Sequence, residues 1–153
     1  MIIKLLNEKN LNKIKKAKKK IVLCHGVFDL FHIGHLNHIN EAKKLGDILI
    51  VSVTTDKYVN KGPGRPFFTT KQRLSLLSSI KNIDYVIQSD SPNGVELINR
   101  IKPNIYFKGP DYLNHSDDFT GFIRKEVNAV KKHNGKIVYS TGETYSSSKI
   151  LNK

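Results

Sequence analysis

The stretch Gly26-Val27-Phe28-Asp29-Leu30-Phe31-His32-Ile33-Gly34-His35 decides the fold of this chain. It follows the apolar run Ile21-Val22-Leu23, which predicts a buried strand, and it leads into a segment with helical spacing. Two histidines therefore lie where a strand passes to a helix. In an open α/β sheet, ligands bind at the carboxyl ends of the strands. The free N–H groups and the positive dipole end of a helix N-terminus suit a phosphate at that place.

Predicted strands and helices alternate along the rest of the chain. Apolar runs predict strands at about 21–25, 47–53, 84–87, 104–107 and 136–139. Helical spacing and capping residues predict helices at about 33–45, 69–80, 91–101 and 118–133, and a last short helix from Ser146. The alternation predicts an α/β fold, a single doubly wound sheet of five parallel strands with helices on both faces. The ends of the first and fourth strands should flank the ligand crevice.

The length and composition are those of an ordinary globular domain. The 153 residues are expected to form one domain, 1–153, in which residues 1–20 are a basic, helical N-terminal segment. No apolar stretch approaches the roughly 20 residues that span a membrane, and Met1–Leu6 is too short for a signal-peptide core. The single cysteine, Cys24, is expected to be a small buried apolar residue. Because one cysteine cannot form an internal disulfide, a cytoplasmic location is expected.

The formal net charge is +13, and part of it comes from a lysine block before the first strand. Such a block can bind nucleic acid or an anionic membrane. However, Ile14 and Ala17 interrupt it at helical spacing, and only 8% of all residues are aromatic, so a solvated helix face is favoured. Neither nucleic acid nor a membrane is therefore expected as a partner, although a nucleic-acid-binding module remains an alternative. The block comprises Lys13, Lys15, Lys16, Lys18, Lys19 and Lys20.

The spacing of His32 and His35 points to phosphate chemistry. Residues three apart at a helix start lie on one side of it, near the positive dipole end. Two imidazoles that donate hydrogen bonds there can stabilise charge that develops on a phosphorus centre and on departing pyrophosphate. Gly34 leaves room for phosphates to approach the backbone. A structural histidine pair and a metal site with His38 as a third donor are the alternatives, but no second cluster of Cys, Asp or Glu has ligand spacing.

Gly26-Val27-Phe28-Asp29 together with His32-Ile33-Gly34-His35 resembles the signature of the HxGH nucleotidylyltransferase superfamily. It is especially similar to the cytidylyltransferase-like branch, which includes glycerol-3-phosphate cytidylyltransferase and the adenylyltransferase that activates heptose 1-phosphate. The resemblance covers nearly the whole chain. Further stretches that look like the heptose-phosphate enzyme are Lys61–Pro66, Arg73, Val95–Ile98 with Lys102-Pro103, and Lys108–Tyr112, while Thr144–Ile150 resembles the closing serine/threonine motif of the family.

The resemblance implies a Rossmann-like nucleotidylyltransferase fold and a nucleotidyl transfer. A phosphate oxygen of the acceptor attacks the α-phosphorus of a nucleoside triphosphate and releases pyrophosphate. The triphosphate is CTP or ATP, and the acceptor is a phosphorylated sugar or polyol, with glycerol 3-phosphate as an alternative. Mg²⁺ is the expected cofactor, held mainly by phosphate oxygens rather than by protein ligands. Relatives are often dimers, so the resemblance also implies a homodimer.

The resemblance assigns roles to individual residues. His32 and His35 hold the triphosphate and its transition state, and Lys61 closes over the phosphates as a mobile cation. Arg65 and Lys61 are candidates for the acceptor phosphate, and Arg65 and Arg73 for a bidentate phosphate clamp. Ser146, Ser147 and Ser148 offer an anion site at a helix start. The complete nucleotide- or phosphate-binding set is Gly26, Val27, Phe28, Asp29, Gly34, Arg73, Lys108, Gly109, Asp111, Tyr145, Ser146, Ser147 and Ser148, with Asp111 and Tyr112 at the base or ribose.

The chain departs from its relatives at three places. Thr141 stands where the closing motif often has an arginine, five residues before its first serine. Gly109-Pro110 stands where the heptose enzyme commonly has two glycines. The stretch Asn114–Asp118 is longer and more acidic than in compact relatives. These departures leave the base and the acceptor open.

Overall fold

The structure is a computed structural model that describes residues 4–110, 121–142 and 151–152. Its strands, in chain order, are β1 (Ile21–Gly26), β2 (Ile48–Thr54), β3 (Tyr85–Ser89), β4 (Ile105–Lys108) and β5 (Lys136–Tyr139). They form one parallel sheet in the order β3-β2-β1-β4-β5. The strand order reverses beside β1, so the ends of β1 and β4 flank the switch-point crevice, as predicted. The predicted fold class is therefore confirmed.

Five helices cover the two faces of the sheet within the described part of the chain. They are α1 (Glu8–Lys16), α2 (Ile33–Lys43), α3 (Thr70–Ser78), α4 (Val95–Ile101) and α5 (Phe122–Lys132), with a short 3₁₀ turn at Asp56–Tyr58. One apolar cluster joins the sheet to α2 and α3, and a second joins it to α1, α4 and α5. No helix among the described residues is both long and apolar enough to cross a membrane.

Within a strand, successive side chains contribute alternately to the two clusters, because they point to opposite faces of the sheet. In β1, Val22 and Cys24 pack toward α2 and α3, whereas Ile21 and Leu23 pack toward the other helices. All four side chains are at most 2% exposed. The apolar run that predicted β1 thus serves two cores at once. The burial of Cys24 agrees with its expected role as a small apolar residue.

The start of α4 differs from the prediction. Ser91 and Pro92 resemble a helix cap followed by a first helical residue, but the helix begins at Val95. The N–H of Val95 donates to Asn93 Oδ1 at 3.0 Å, and the N–H of Gly94 donates to Glu126 Oε2 at 2.7 Å. A carboxylate from α5 therefore satisfies this helix start, and no local sequence pattern reports a partner that far away.

The helical part of the N-terminal segment is shorter than residues 1–20. Asn7 caps α1, and Leu11 and Ile14 are its buried residues. Before the helix, the N–H of Leu6 donates to the Val86 carbonyl at 2.9 Å, so this segment extends the sheet beyond β3. The six lysines of the block are exposed, which is the solvated face favoured from the sequence. Residues 118–120 of the predicted helix 118–133, and residues 146–150 of the short helix predicted to begin near Ser146, lie outside the described residues.

Candidate active site

The turn after β1 places the candidate site at the carboxyl end of the sheet. Phe28 and Leu30 have positive φ angles of 53° and 49°, a backbone conformation that non-glycine residues adopt at a cost and that occurs often at functional sites. Phe28 is 8% exposed, and its ring meets the His35 ring edge-on at 5.5 Å between centroids. The turn thus folds back on the helix that follows it and holds His35 in place.

His32 and His35 cap α2 together. The N–H of Gly34 donates to His32 Nδ1 at 3.1 Å, and the N–H of His32 donates to His35 Nδ1 at 3.3 Å. The two rings stack with centroids 3.8 Å apart. Because both Nδ1 atoms accept hydrogen bonds, the proton of each neutral ring is on Nε2. Each ring therefore has an Nε2–H donor. Gly34 was predicted to lie near phosphates, but its N–H donates to the His32 ring in this cap.

Both histidines are neutral at pH 7. Burial, followed by the neighbouring His32 and Lys61, lowers the pKa of His35 to about 3. Burial and the charge of Lys61 also lower the pKa of His32. The rings therefore act as hydrogen-bond donors without a full charge, which corrects any role that depends on a protonated imidazole. The same electrostatic coupling indicates that Lys61 lies beside the pair, where a mobile cation was predicted.

Asp29 anchors the loop that carries Lys61. Its carboxylate is buried, and it accepts hydrogen bonds from Arg65 Nε at 2.9 Å and from the N–H groups of Phe67 and Phe68 at 2.7 and 3.0 Å. Burial raises the pKa of Asp29, but these hydrogen bonds outweigh it, so the pKa lies below its usual value. Asp29 is thus an ionised anchor. Arg65, a candidate for the acceptor phosphate, forms an ion pair with it.

Arg73 has a structural role that the sequence did not suggest. It is 2% exposed and lies between the ends of β1 and β2 and the loop before α3. An arginine side chain has five N–H donors. They bind the carbonyl oxygens of Phe68 (3.0 Å), Val27 (2.8 Å) and Thr54 (2.8 Å), the Asp56 carboxylate (2.7 Å) and the Thr70 hydroxyl (3.4 Å). No donor is left for a phosphate, so the predicted clamp at Arg73 is corrected to a structural tie.

The far side of the crevice carries a buried cation. Lys108, at the end of β4, is 7% exposed, and its Nζ lies 3.8 Å from Glu126 Oε1 of α5. Glu126 Oε2 also accepts from the Tyr106 hydroxyl at 2.8 Å. A Cβ at Gly94 would meet both Glu126 Oε2 and the Tyr106 hydroxyl within 2.8 Å, so this network requires glycine there. Gly109 follows Lys108 in the sequence. A Cβ at Gly109 would meet nothing within 4 Å, so the space around it does not require glycine.

Three polar residues near the crevice were not predicted from the sequence in these positions: Glu126, His25 and His38. Glu126 lies on the apolar stripe of α5 with Ile123, Ala129 and Val130, and a carboxylate on such a stripe was the available signal. His25 Nδ1 lies 2.7 Å from Ser52 Oγ, and burial followed by the charge of Lys108 lowers its pKa to about 3. The same two causes lower the pKa of His38 to about 4, and its ring packs on Phe107 at 4.7 Å.

The described residues hold no group of three or more His, Cys, Asp or Glu side chains arranged to bind a metal ion. The Nδ1 atoms of His32 and His35 accept backbone N–H groups, and the oxygens of Asp29 accept three N–H donors. These residues do not fit a resident metal. The predicted Asp111, Tyr112, Tyr145, Ser146, Ser147 and Ser148 lie outside the described residues.

Comparison with known proteins places the chain in a family. Residues 23–153 match the family model described as cytidylyltransferase-like. The Bifunctional protein HldE of Helicobacter pylori (strain G27) is 38% identical over 148 residues, which are 95% of this chain and 30% of that protein. The Bifunctional protein HldE of Syntrophotalea carbinolica is 36% identical over 100 residues, 64% of this chain and 20% of that protein. The chain thus spans less than a third of the length of these relatives.

Two solved structures are similar in fold. The lipopolysaccharide core biosynthesis protein from Thermoplasma volcanium GSS1 has a TM-score of 0.68 at 28% identity, covering 82% of this chain and 99% of that one. Pantoate-beta-alanine ligase from Francisella tularensis has a TM-score of 0.64 at 18% identity, covering 100% of this chain and 74% of that one, and it supports the fold alone. The family model covers most of the chain and confirms the resemblance found in the sequence. The chain therefore belongs to the cytidylyltransferase-like family of nucleotidyltransferases.

Proposed function

We propose that the protein transfers CMP or AMP from a nucleoside triphosphate to a phosphorylated sugar or polyol and releases pyrophosphate. The observation that carries the proposal is the pair of neutral histidines at the start of α2, whose Nδ1 atoms accept backbone N–H groups. In this arrangement the proton of each ring is on Nε2, so both rings can donate to a ligand at the helix N-terminus, in the crevice where such folds bind ligands. Lys61 and the buried Lys108 supply positive charge on either side.

The chemistry needs positioning and charge stabilisation, with little covalent work for the protein. An ionised phosphate oxygen of the acceptor forms the new bond to the α-phosphorus, and the bond from the α-phosphorus to the oxygen bridging to the β-phosphate breaks. Pyrophosphate leaves with that electron pair. The Nε2–H groups of His32 and His35 donate to oxygens that gain charge, and no proton has to be removed from the attacking group. Mg²⁺ enters as part of the triphosphate substrate and neutralises its oxygens.

Asp29 holds the loop that carries Lys61 and Arg65 against the site. It holds Arg65 and the N–H groups of Phe67 and Phe68, and Lys61 lies only four residues before Arg65. The glycines between them, Gly62 and Gly64, have positive φ angles of 96° and 73°. The loop is thus anchored at its far end, and the glycines beside Lys61 allow the backbone changes that a lysine closing over bound phosphates would need.

A sugar phosphate is the favoured acceptor. The segments 61–66 and 108–112 resemble the heptose-phosphate enzyme more than the glycerol-phosphate enzyme. The similar structure from Thermoplasma volcanium is that of a lipopolysaccharide core biosynthesis protein, which also favours a carbohydrate acceptor for this chain. The nucleotide donor is ATP or CTP, and the assay below distinguishes between these two triphosphates.

The test is a pyrophosphate-release assay with ATP, CTP, GTP and UTP, each with Mg²⁺, against heptose 1-phosphate and glycerol 3-phosphate. We expect release with one triphosphate and the sugar phosphate, and a nucleotide–sugar product in the mass spectrum. Release with glycerol 3-phosphate and CTP alone would transfer the assignment to a glycerol-3-phosphate cytidylyltransferase. Absence of release with every pair, together with absence of triphosphate binding by calorimetry, would remove the proposal.

We also propose that the protein is a homodimer. An apolar face beside the site supports this: Phe67, Leu76 and Phe68 are 66%, 43% and 36% exposed. Next to them lies a pocket of about 170 Å³, lined in part by Phe31, Phe68 and Leu76. Light scattering at several concentrations is expected to give twice the 17.4 kDa chain mass for the wild type, and the monomer mass for Phe67→Glu. The matched control is Leu5→Glu, at the far sheet edge. A monomeric wild type at every concentration would contradict the proposal.

A further inference from the structure

The lysines before β1 are part of a larger cationic surface at the amino end of the sheet. All five strands are parallel, so they begin together at the end opposite to the histidine pair. Helices α1, α4 and α5 finish at that end. Lys15 Nζ, in the last turn of α1, donates to the Arg100 carbonyl of α4 at 3.1 Å, and His133 Nε2, directly after α5, lies 3.0 Å from Asn99 Oδ1 of α4. We call this face the basic surface, and its exposed lysines are Lys13, Lys15, Lys16, Lys18, Lys19, Lys20, Lys102, Lys131, Lys132 and Lys136.

Backbone hydrogen bonds join the parts of the basic surface. The N–H of Asn104, just before β4, donates to the Ile21 carbonyl at the start of β1 at 3.0 Å. The N–H of Lys136, at the start of β5, donates to the Asn104 carbonyl at 3.0 Å. The N–H of Lys19 donates to the Ile14 carbonyl of α1 at 3.3 Å. The starts of β1, β4 and β5 and the end of α1 thus lie side by side, and their lysines form one continuous face.

Carboxylates neutralise little of this charge. Glu8 pairs with Arg100, and one oxygen of Asp47 accepts the backbone N–H of Lys20 at 2.8 Å. In the part of the chain that the structure describes, no ion pair involves a lysine of the basic surface. The mechanism proposed above does not use this charge either, because its phosphates bind at the carboxyl end of the sheet. The charge is therefore available to a different, anionic partner.

The lysines of the basic surface repel one another. Burial and the charge of Lys102 lower the pKa of Lys15, whereas the nearby Glu8 raises it by a smaller amount. Desolvation, followed by the charges of Lys102, Lys132 and Lys15, lowers the pKa of His133. Like charges from the ends of α1, α4 and α5 are thus close enough to destabilise each other's protonated forms. An anionic partner on this face relieves that repulsion, so electrostatics favours its binding.

The side chains of the basic surface suit a lipid surface better than nucleic acid. Lysine is a compact point charge, whereas arginine has the planar fork that binds phosphates and bases in a fixed geometry. The surface is built from lysine, and Arg100 beside it is paired with Glu8. Exposed aromatic rings, on which nucleic-acid bases stack, occur at Phe67 and Phe68, toward the opposite end of the sheet. Clusters of about four to eight Lys or Arg side chains attract anionic lipids at a membrane surface.

We propose that the basic surface docks the protein on an anionic lipid bilayer. The attraction comes from lysines rather than from inserted apolar side chains, so it is electrostatic and reversible. In this orientation the histidine pair, at the other end of the sheet, faces away from the bilayer and stays open to substrates. The block before β1 did not by itself predict a membrane partner, and Lys102, Lys131, Lys132 and Lys136 join it only in the folded chain. The inference does not depend on the proposed nucleotidyl transfer.

The test is sedimentation of the protein at low salt with vesicles made of equal parts of phosphatidylglycerol and phosphatidylcholine. We expect the wild type to sediment with these vesicles but not with pure phosphatidylcholine, and NaCl to release it, because salt screens charges. A triple variant, Lys16→Gln, Lys102→Gln and Lys132→Gln, removes one lysine each from the ends of α1, α4 and α5. Its vesicle partition coefficient is expected to fall by about 100-fold, since each lysine near an anionic surface contributes about fivefold.

A second triple variant is the matched control. Lys57→Gln, Lys71→Gln and Lys125→Gln remove the same charge after β2 and from the first turns of α3 and α5, at the carboxyl end of the sheet. We expect this control to bind the vesicles like the wild type. All the substituted lysines are exposed, so both triple variants should also melt like the wild type.

Three results would overturn the inference. The first is a wild type that does not sediment with phosphatidylglycerol vesicles at low salt. The second is a control variant that loses as much vesicle binding as the first triple variant, because total charge rather than the basic surface would then decide. The third is tighter binding to duplex DNA or single-stranded RNA than to the vesicles, lost in the first triple variant, which would make nucleic acid the partner. Pyrophosphate release is expected to be the same in both triple variants and the wild type, whichever result is found.

Discussion

His35→Ala is expected to lower kcat by about 100- to 1,000-fold, the range seen when an enzyme loses one preorganised donor to a charged transition state. The reason is the Nε2–H that the capping geometry leaves for a phosphate oxygen. His35 Nδ1 accepts the His32 N–H, and the His32 ring stacks on it at 3.8 Å. The substitution therefore removes one donor and loosens the second. The measurement is steady-state pyrophosphate release with the acceptor and triphosphate identified by the assay above.

Three controls make the His35 result specific. His35→Gln keeps an amide donor and should recover part of the lost rate. His133→Ala changes a histidine on the far end of α5 that contacts Asn99, and it should leave kcat unchanged. Because burial lowers the pKa of His35 to about 3, kcat of the wild type should show no titration of this group between pH 5.5 and 8. An unchanged kcat in His35→Ala would contradict the donor role, and a folding midpoint far below that of the wild type would mean lost packing against Phe28.

Arg73→Met is expected to lower the free energy of unfolding by about 3–5 kcal/mol, because a buried guanidinium that donates to three backbone carbonyls is removed. Methionine fills a similar volume but donates nothing. The carbonyl oxygens of Val27 and Thr54 would lose their 2.8 Å hydrogen bonds, and each buried acceptor without a partner costs about 1–3 kcal/mol. These carbonyls lie where β1 and β2 end, so the loss should also widen the crevice.

Urea denaturation followed by circular dichroism measures this effect. Arg100→Met is the matched control, because Arg100 pairs with Glu8 on the surface, where its side chain is 42% exposed. Exposed ion pairs contribute about 0–1 kcal/mol, so the control should unfold close to the wild type. A stable Arg73→Met that has lost triphosphate binding would restore the phosphate clamp predicted from the sequence and contradict the structural role.

Arg73 was predicted to be a phosphate clamp but has a structural role, and the sequence alone does not distinguish these two roles. An arginine on a helix after a phosphate-binding loop is typical of a clamp. Whether it points out or in depends on acceptors at Val27, Thr54 and Phe68, which come together only when three segments meet. The start of α4 also differs from the prediction because of a contact between segments that are far apart in sequence. Ser91 and Pro92 satisfy the local rules for a helix start, but Glu126 of α5 provides the better partner one turn later.

The sequence by itself determined the elements, the parallel sheet, the switch point and the histidine pair, because apolar periodicity and the residues around a turn are local properties. Residues 26–35 by themselves predict a phosphate-binding turn between a strand and a helix. Only the tertiary structure decided that both rings are neutral with Nε2–H donors, that Asp29 anchors the loop of Lys61, and that Arg73 joins the ends of β1 and β2. Those properties depend on burial and on hydrogen bonds between residues up to 46 positions apart, and such contacts are set by packing rather than by any local pattern.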